Sequence, residues 1–173
     1  MSEQATEQAT EQFQMPTPGA EHDLLKPFEG TFKSEVKMWM GPGDPMISTG
    51  TITNTFDLGG IYLHQDYVGD QTEGPFPSFC GKGYWGYNTT DKRYEGFWID
   101  NASTSMQFET GQVDVGGKVW EMTSKMTCAH TGQVMNKRSV ITLVDDNHNS
   151  IEMFFTGEDC NEMKAMEINY FRV

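Results

Sequence analysis

The sequence predicts an all-β chain folded as one closed, up-and-down antiparallel barrel of about ten strands, with a β-sandwich as the alternative. Three observations lead there. Ten runs alternate apolar and polar residues with a period of two, which gives each run one apolar face. The breaks between runs carry Gly, Pro, Asn and Asp, the residues of hairpin turns. No long helical pattern interrupts the series, so a sheet with one apolar face has nothing to cover it and must curl onto itself, which also removes its edges.

Composition narrows the functions that such a barrel could serve. The 173 residues suffice for one domain that buries roughly two thirds of its unfolded surface. The formal net charge of -13, from 25 acidic and 12 basic residues, repels phosphate backbones and anionic lipid alike, so neither nucleic acid nor membrane is an expected partner. The first residues lack a basic stretch leading into an apolar one, and no run approaches an apolar span, which predicts a cytoplasmic protein. Cys80, Cys128 and Cys160 are odd in number and form no C-x-x-C pair, so they read as reduced thiols. Nothing in the pattern specifies an oligomeric state.

Along the chain, residues 1–20 repeat Glu-Gln-Ala-Thr and then run through Met15-Pro-Thr-Pro-Gly, with Phe13 as the only aromatic residue. They bring too little apolar surface to offset the entropy of ordering and read as a disordered, Gln-rich acidic tail, which leaves 21–173 as a single barrel domain. Glu21 to Pro27 reads as one helical turn, with Leu24 and Leu25 toward the core and Pro27 ending it. From Thr31 the alternation begins, with Phe32, Ser34, Val36 and Met38 on one face and Lys33, Glu35 and Lys37 on the other. Further strands are expected over 47–58, 60–69, 78–88, 92–100, 104–111, 118–128, 135–144, 150–157 and 163–173, with hairpin turns at 88–91, 115–117 and 145–149. Read by hydrophobicity, the inward faces hold Ile52 and Phe56, then Leu63 and Tyr67, then Trp85, Trp98, and Met106 with Phe108. Later strands contribute Trp120 and Met122, then Ile151 and Met153, and finally Ile168 and Tyr170.

Several short motifs recur here in a specific order: Pro18-x-x-Glu21-His22-x-x-Leu25, Gly30-Thr31-Phe32, Met40-Gly41-Pro42-Gly43, Leu58-Gly59-Gly60, Gly86-Tyr87-Asn88 and Gly96-Phe97-Trp98. Together they resemble the domain of unknown function 1579 family over almost everything after residue 17. The resemblance implies a lipocalin-like or calycin-like barrel, a fold whose relatives often hold small apolar molecules, and it implies no established activity. Calycins carry Gly-x-Trp on the first strand and a basic residue on the last. Gly30-Thr31-Phe32 and Arg172 occupy those places, so the resemblance implies that Arg172 closes the barrel over Phe32, a cation over a ring poorer than indole.

Chemistry-bearing motifs are sparse. His22, His64, His130 and His148 show no metal-ligand spacing, so no metal or other cofactor is expected, and the closing stretch Met163 to Val173 holds no histidine for haem. Asp145-Asp-Asn-His-Asn149 lacks the Gly and Glu of a calcium loop and reads as a turn, with His148 in it. Cys128 and His130 share a strand face about 7 Å apart, too far for a nucleophile and its base. His64 and Asp66 read as an exposed cross-strand pair. Non-catalytic binding of a small apolar molecule is therefore the leading expectation. The alternatives are a hydrolase- or isomerase-like enzyme using the same cavity, and a filled barrel acting through protein contacts.

The expected cavity opens at the end away from Phe32, because Met38 lies about 20 Å further along the same strand. Its apolar lining is expected from Met38, Trp85, Trp98 and Phe108, and from Met122, Met153 and Tyr170 on later strands. Asn54 and Gln65, polar residues at inward positions, are expected to orient the ligand, since a buried amide costs about 1–3 kcal/mol unless something satisfies it.

Overall fold

A computed structural model describes residues 15–70, 78–127, 132–157 and 161–173. The alternating runs form ten antiparallel strands: β1 (Gly30–Met38), β2 (Met46–Asp57), β3 (Tyr62–Gly69), β4 (Cys80–Asn88), β5 (Arg93–Asp100), β6 (Gln107–Val113), β7 (Val119–Thr127), β8 (Val134–Asp145), β9 (His148–Thr156) and β10 (Glu162–Arg172). Each strand pairs with its neighbours in sequence, and β1 also pairs with β10, so the sheet closes into an up-and-down barrel without edges. A short helix α1 (Ala20–Asp23) and a 3₁₀ turn (Lys26–Phe28) precede it. Among the described residues no helix is long and apolar enough to cross a membrane.

One end of the barrel is built from turns that the sequence encodes locally. At residues 58–60, Leu58, Gly59 and Gly60 all take positive φ (49°, 76° and 86°), a path that two glycines make cheap. Asp114 Oδ1 accepts the N–H groups of Lys118 and Val119 at 2.8 and 2.9 Å. These backbone donors hold its carboxyl below the usual aspartate range. The turn expected over 145–149 is tighter than that, because β8 runs to Asp145 and β9 begins at His148. His148 is thus a strand residue, stacked on Phe171 at 4.6 Å with Nε2 3.1 Å from Asn169 Oδ1.

The same end is sealed by the segment before β1. Pro27 stops helical propagation after a single turn, and the chain then folds Leu25 and Phe28 into the bore, where they are 0% and 3% exposed. They pack against Leu63, Trp85, Tyr94 and Trp120. Hydrogen bonds tie the plug to the wall: the Tyr94 hydroxyl donates to Glu21 O (2.9 Å), and Asn54 Nδ2 donates to Phe28 O (2.8 Å). Arg172 donates from Nη2 to Pro27 O (2.6 Å), from Nη1 to Glu29 O (2.7 Å) and from Nε to Asp146 O (2.8 Å), while its guanidinium lies 4.4 Å from the centre of the Phe32 ring. One arginine thereby joins the last strand, the first strand and the plug.

The face assignment fails on β6. Hydrophobicity placed Met106 and Phe108 inside, yet both are 64% exposed. The register pairs Phe97 with Phe108 and Gly96 with Glu109, so Gln107, Glu109, Gly111 and Val113 face the bore. Phe108 instead ends an aromatic row on the outer wall, His64–Tyr84–Phe97–Phe108, with successive ring centres 4.9, 5.7 and 6.1 Å apart. Alternation reports that two faces differ, and cross-strand aromatic contacts on the outside can reward the more apolar one as well as a core does.

Candidate functional site

Away from the plug, the inward wall changes character. Trp98 on β5, Ser124 and Met126 on β7, Met153 and Phe155 on β9 and Met166 on β10 face the bore by register but are only half-buried. The plugged end buries Leu63, Trp85, Tyr94 and Trp120 to 5% exposure or less. Beneath them Phe32, Val36, Ile52, Tyr67, Ile168 and Tyr170 form a second buried cluster, and Trp98, Met153 and Met166 pack against it, so this half meets solvent only toward its mouth.

Two glycines make room for Trp98 in this half. Gly81 and Gly83 occupy inward positions on β4, and the six-membered ring of Trp98 spans the space above both: a Cβ on Gly81 would stand 2.2 Å from Trp98 Cζ2, and one on Gly83 would stand 2.9 Å from Cε3. The indole therefore lies along the wall instead of across the bore. Gly81→Ala should push the ring into the bore, since the nearest backbone atom, Ile99 O, lies at 3.1 Å and can give slightly whereas the ring cannot stay. The expected result is a shifted Trp98 emission and weakened uptake of any molecule held there, with the fold retained; unchanged emission would show that the ring does not rest on these glycines.

Methionines crowd the mouth. The register sets Met38 beside both Met46 and Met166, Met166 beside Met153, and Met126 beside Met135. Unbranched thioethers repack around different shapes at little cost.

Below this collar lies a polar patch. Lys137 on β8 is 4% exposed, and its Nζ sits 2.5 Å from Glu109 Oε1 on β6, whose side chain is 17% exposed. Two residues deeper on the same face of β8, Ser139 is 2% exposed and its Oγ has no hydrogen-bond partner among the described residues. Across the bore, Ser34 Oγ and the Tyr67 hydroxyl lie 3.0 Å apart. Burial, reinforced by Tyr67, drives the Tyr170 phenol well above its ordinary pKa, so it stays a neutral wall residue.

The residues expected from sequence are distributed as follows. Met38, Gln65, Trp98, Met153 and Tyr170 face the bore by register, Tyr170 inside the second buried cluster and Trp98 and Met153 packed against it. Trp85 and Met122 belong to the core packed against the plug, 5% and 2% exposed, and contribute its floor. Asn54 Nδ2 donates to Phe28 O and so ties the residue to the plug, while its buried Oδ1 has no hydrogen-bond partner among the described residues. Phe108 lies outside, for the reason given above. Asp66 bonds Lys82 at 2.7 Å, while His64 packs on Tyr84. Glu109, Lys137 and Ser139 were not singled out. Lys137 falls in phase with Met135, Ile141 and Leu143, and that position was the available signal.

Two shallow depressions mark the outer surface, one between β2 and β3 lined by Thr51, Thr53, Thr55, His64, Asp66 and Val68, the other at the Asp145–His148 turn beside Arg172. Both are open to solvent, and neither buries a polar group as the bore does. Among the described residues, no three His, Cys, Asp or Glu side chains converge as a metal site. Cys128, His130 and Cys160 lie outside the described residues.

A family model described as "Protein of unknown function (DUF1579)" matches residues 17–172. No curated protein matches. The crystal structure of Rv2717c from M. tuberculosis aligns with 90% of this chain and 98% of its own, at a TM-score of 0.63 and 13% identity, a likeness of fold. A redesigned β-barrel aligns with 91% of this chain and 99% of its own at 14% identity, with a TM-score of 0.43.

Proposed function

The chain belongs to the DUF1579 family, and from that premise we propose that the protein holds a small apolar molecule, unchanged, in the open half of its barrel. The observation that supports this reading is the contrast between the two ends: one is plugged by Leu25 and Phe28, and at the other Trp98, Met126, Met153, Phe155 and Met166 point inward above a second buried cluster and remain half-exposed. Burying apolar surface there contributes about 25 cal/mol per Å², and the methionine collar adapts the wall to the guest. Binding without chemical change is favoured because the ionised groups in the bore, Lys137 and Glu109, are bonded to each other.

Nile red, a neutral apolar dye, tests the proposal. Titration should give saturable binding with a Kd on the order of 1 μM and a change in tryptophan emission, most of which disappears in Trp98→Phe. Of the four tryptophans, Trp85 and Trp120 sit in the plugged core and only Trp98 lines the hollow. Dye uptake that never saturates would overturn the proposal, as would uptake whose emission change survives Trp98→Phe in full.

A further inference from the structure

The polar patch inside the bore points to the kind of apolar molecule the barrel selects. We infer that the open half takes a neutral amphiphile, one whose head group both donates and accepts hydrogen bonds, such as a primary amide or an alcohol, and discriminates against carboxylates. The inference rests on the binding proposal above and adds the identity of the head group.

The argument begins with charge. Among the described residues Lys137 is the inward-facing cation of this half, and it is already paired with Glu109 at 2.5 Å. Arg172, at the other end, is committed to three backbone carbonyls and the Phe32 ring. A carboxylate head entering there would set two carboxylates on one ammonium that is itself only 4% exposed, where an unbalanced charge is penalised. The chain's net charge of -13 adds repulsion of the same sign at longer range.

A neutral head meets the opposite situation. An ammonium has three N–H donors and an ionised carboxylate accepts through two oxygens, so the pair retains capacity beyond its mutual bond. An amide carbonyl can accept from Lys137 while its N–H₂ donates to Glu109. Ser139 supplies an independent sign that something polar belongs there: its hydroxyl faces the bore, is 2% exposed and has no partner among the described residues. A buried hydroxyl left alone is costly, and a head group reaching past the ion pair would satisfy it. Ser124, paired with Lys137 in register, widens the polar patch toward the mouth.

Three probes of equal chain length, dodecanamide, dodecanol and laurate, test this by competition against Nile red on the full chain at pH 7.5 and physiological salt, where charges beyond about 8 Å are screened. Dodecanamide and dodecanol should displace the dye, and laurate should bind more weakly than dodecanamide by about tenfold or more. In Glu109→Gln the preference should reverse, because Lys137 is then free to take the carboxylate. The net charge changes only from -13 to -12 with that substitution, so a reversal cannot come from the overall field. Laurate binding as tightly as dodecanamide to the wild-type protein overturns the inference, whether or not Glu109→Gln folds. A folded Glu109→Gln variant with the wild-type preference overturns it too. If Nile red binds and all three probes fail to displace it, the head-group inference fails while the cavity reading stands; if the dye itself fails, both fall.

Discussion

Trp120→Ala is expected to lower the unfolding free energy by about 3–5 kcal/mol. Trp120 is fully buried on β7, and its ring meets three others edge-on: Phe28 of the plug at 5.2 Å, Trp85 at 5.5 Å and Tyr94 at 6.0 Å. Truncation removes the indole's transfer free energy and leaves a void at the point where the plug joins the wall. The void cannot close easily, because its lining is held from several directions: Tyr94 by Glu21 O, and Phe28 through its own carbonyl by Asn54. Urea unfolding followed by far-ultraviolet circular dichroism measures the effect, with an unchanged m-value marking a pure stability loss. A loss below about 1.5 kcal/mol would mean that the plug relaxes into the space and does not hold the end rigidly.

The second large effect is electrostatic. Lys137→Met should cost about 3 kcal/mol, toward the lower end of what breaking a buried pair costs, because the Glu109 side chain is 17% exposed and water can reach it. The cost comes from the carboxylate left without a partner and not from a lost attraction of that size. The double variant Lys137→Met with Glu109→Leu should therefore recover most of it, since removing both charges also removes both desolvation penalties. A double variant that is less stable than the single one would show that the pair contributes net stability and is not primarily a polar feature of the bore. The same variants report on the head-group proposal: with both charges gone, the hollow should still take Nile red but bind dodecanamide less well.

Much of this architecture could be read from the residues themselves. The ten alternating runs, the glycine and asparagine breaks, and the Pro27 stop are local properties, governed by side chains at spacings of two along one strand and by backbone preferences of single residues. All ten strands lie where the alternation places them, with β6 displaced by a few residues. The family likeness was legible in the same way, from short glycine-centred motifs in order. Leu25 was expected to face the core, and it does so as part of a plug whose closing role depends on Phe28, a residue that no periodicity marks.

The sequence by itself pointed to a closed antiparallel barrel ahead of a β-sandwich, because one apolar face per strand and the absence of covering helices leave the sheet to cover itself. Only the tertiary structure decided which face of β6 turns inward, that Asn54 Nδ2 bonds the Phe28 carbonyl, and that Glu109 meets Lys137 from 28 residues away. The physical reason is that hydrophobicity along one strand measures only that strand's own two sides. Phe108 finds burial against Phe97 outside, and Glu109 finds its counter-charge inside, through neighbours that only strand register brings within reach.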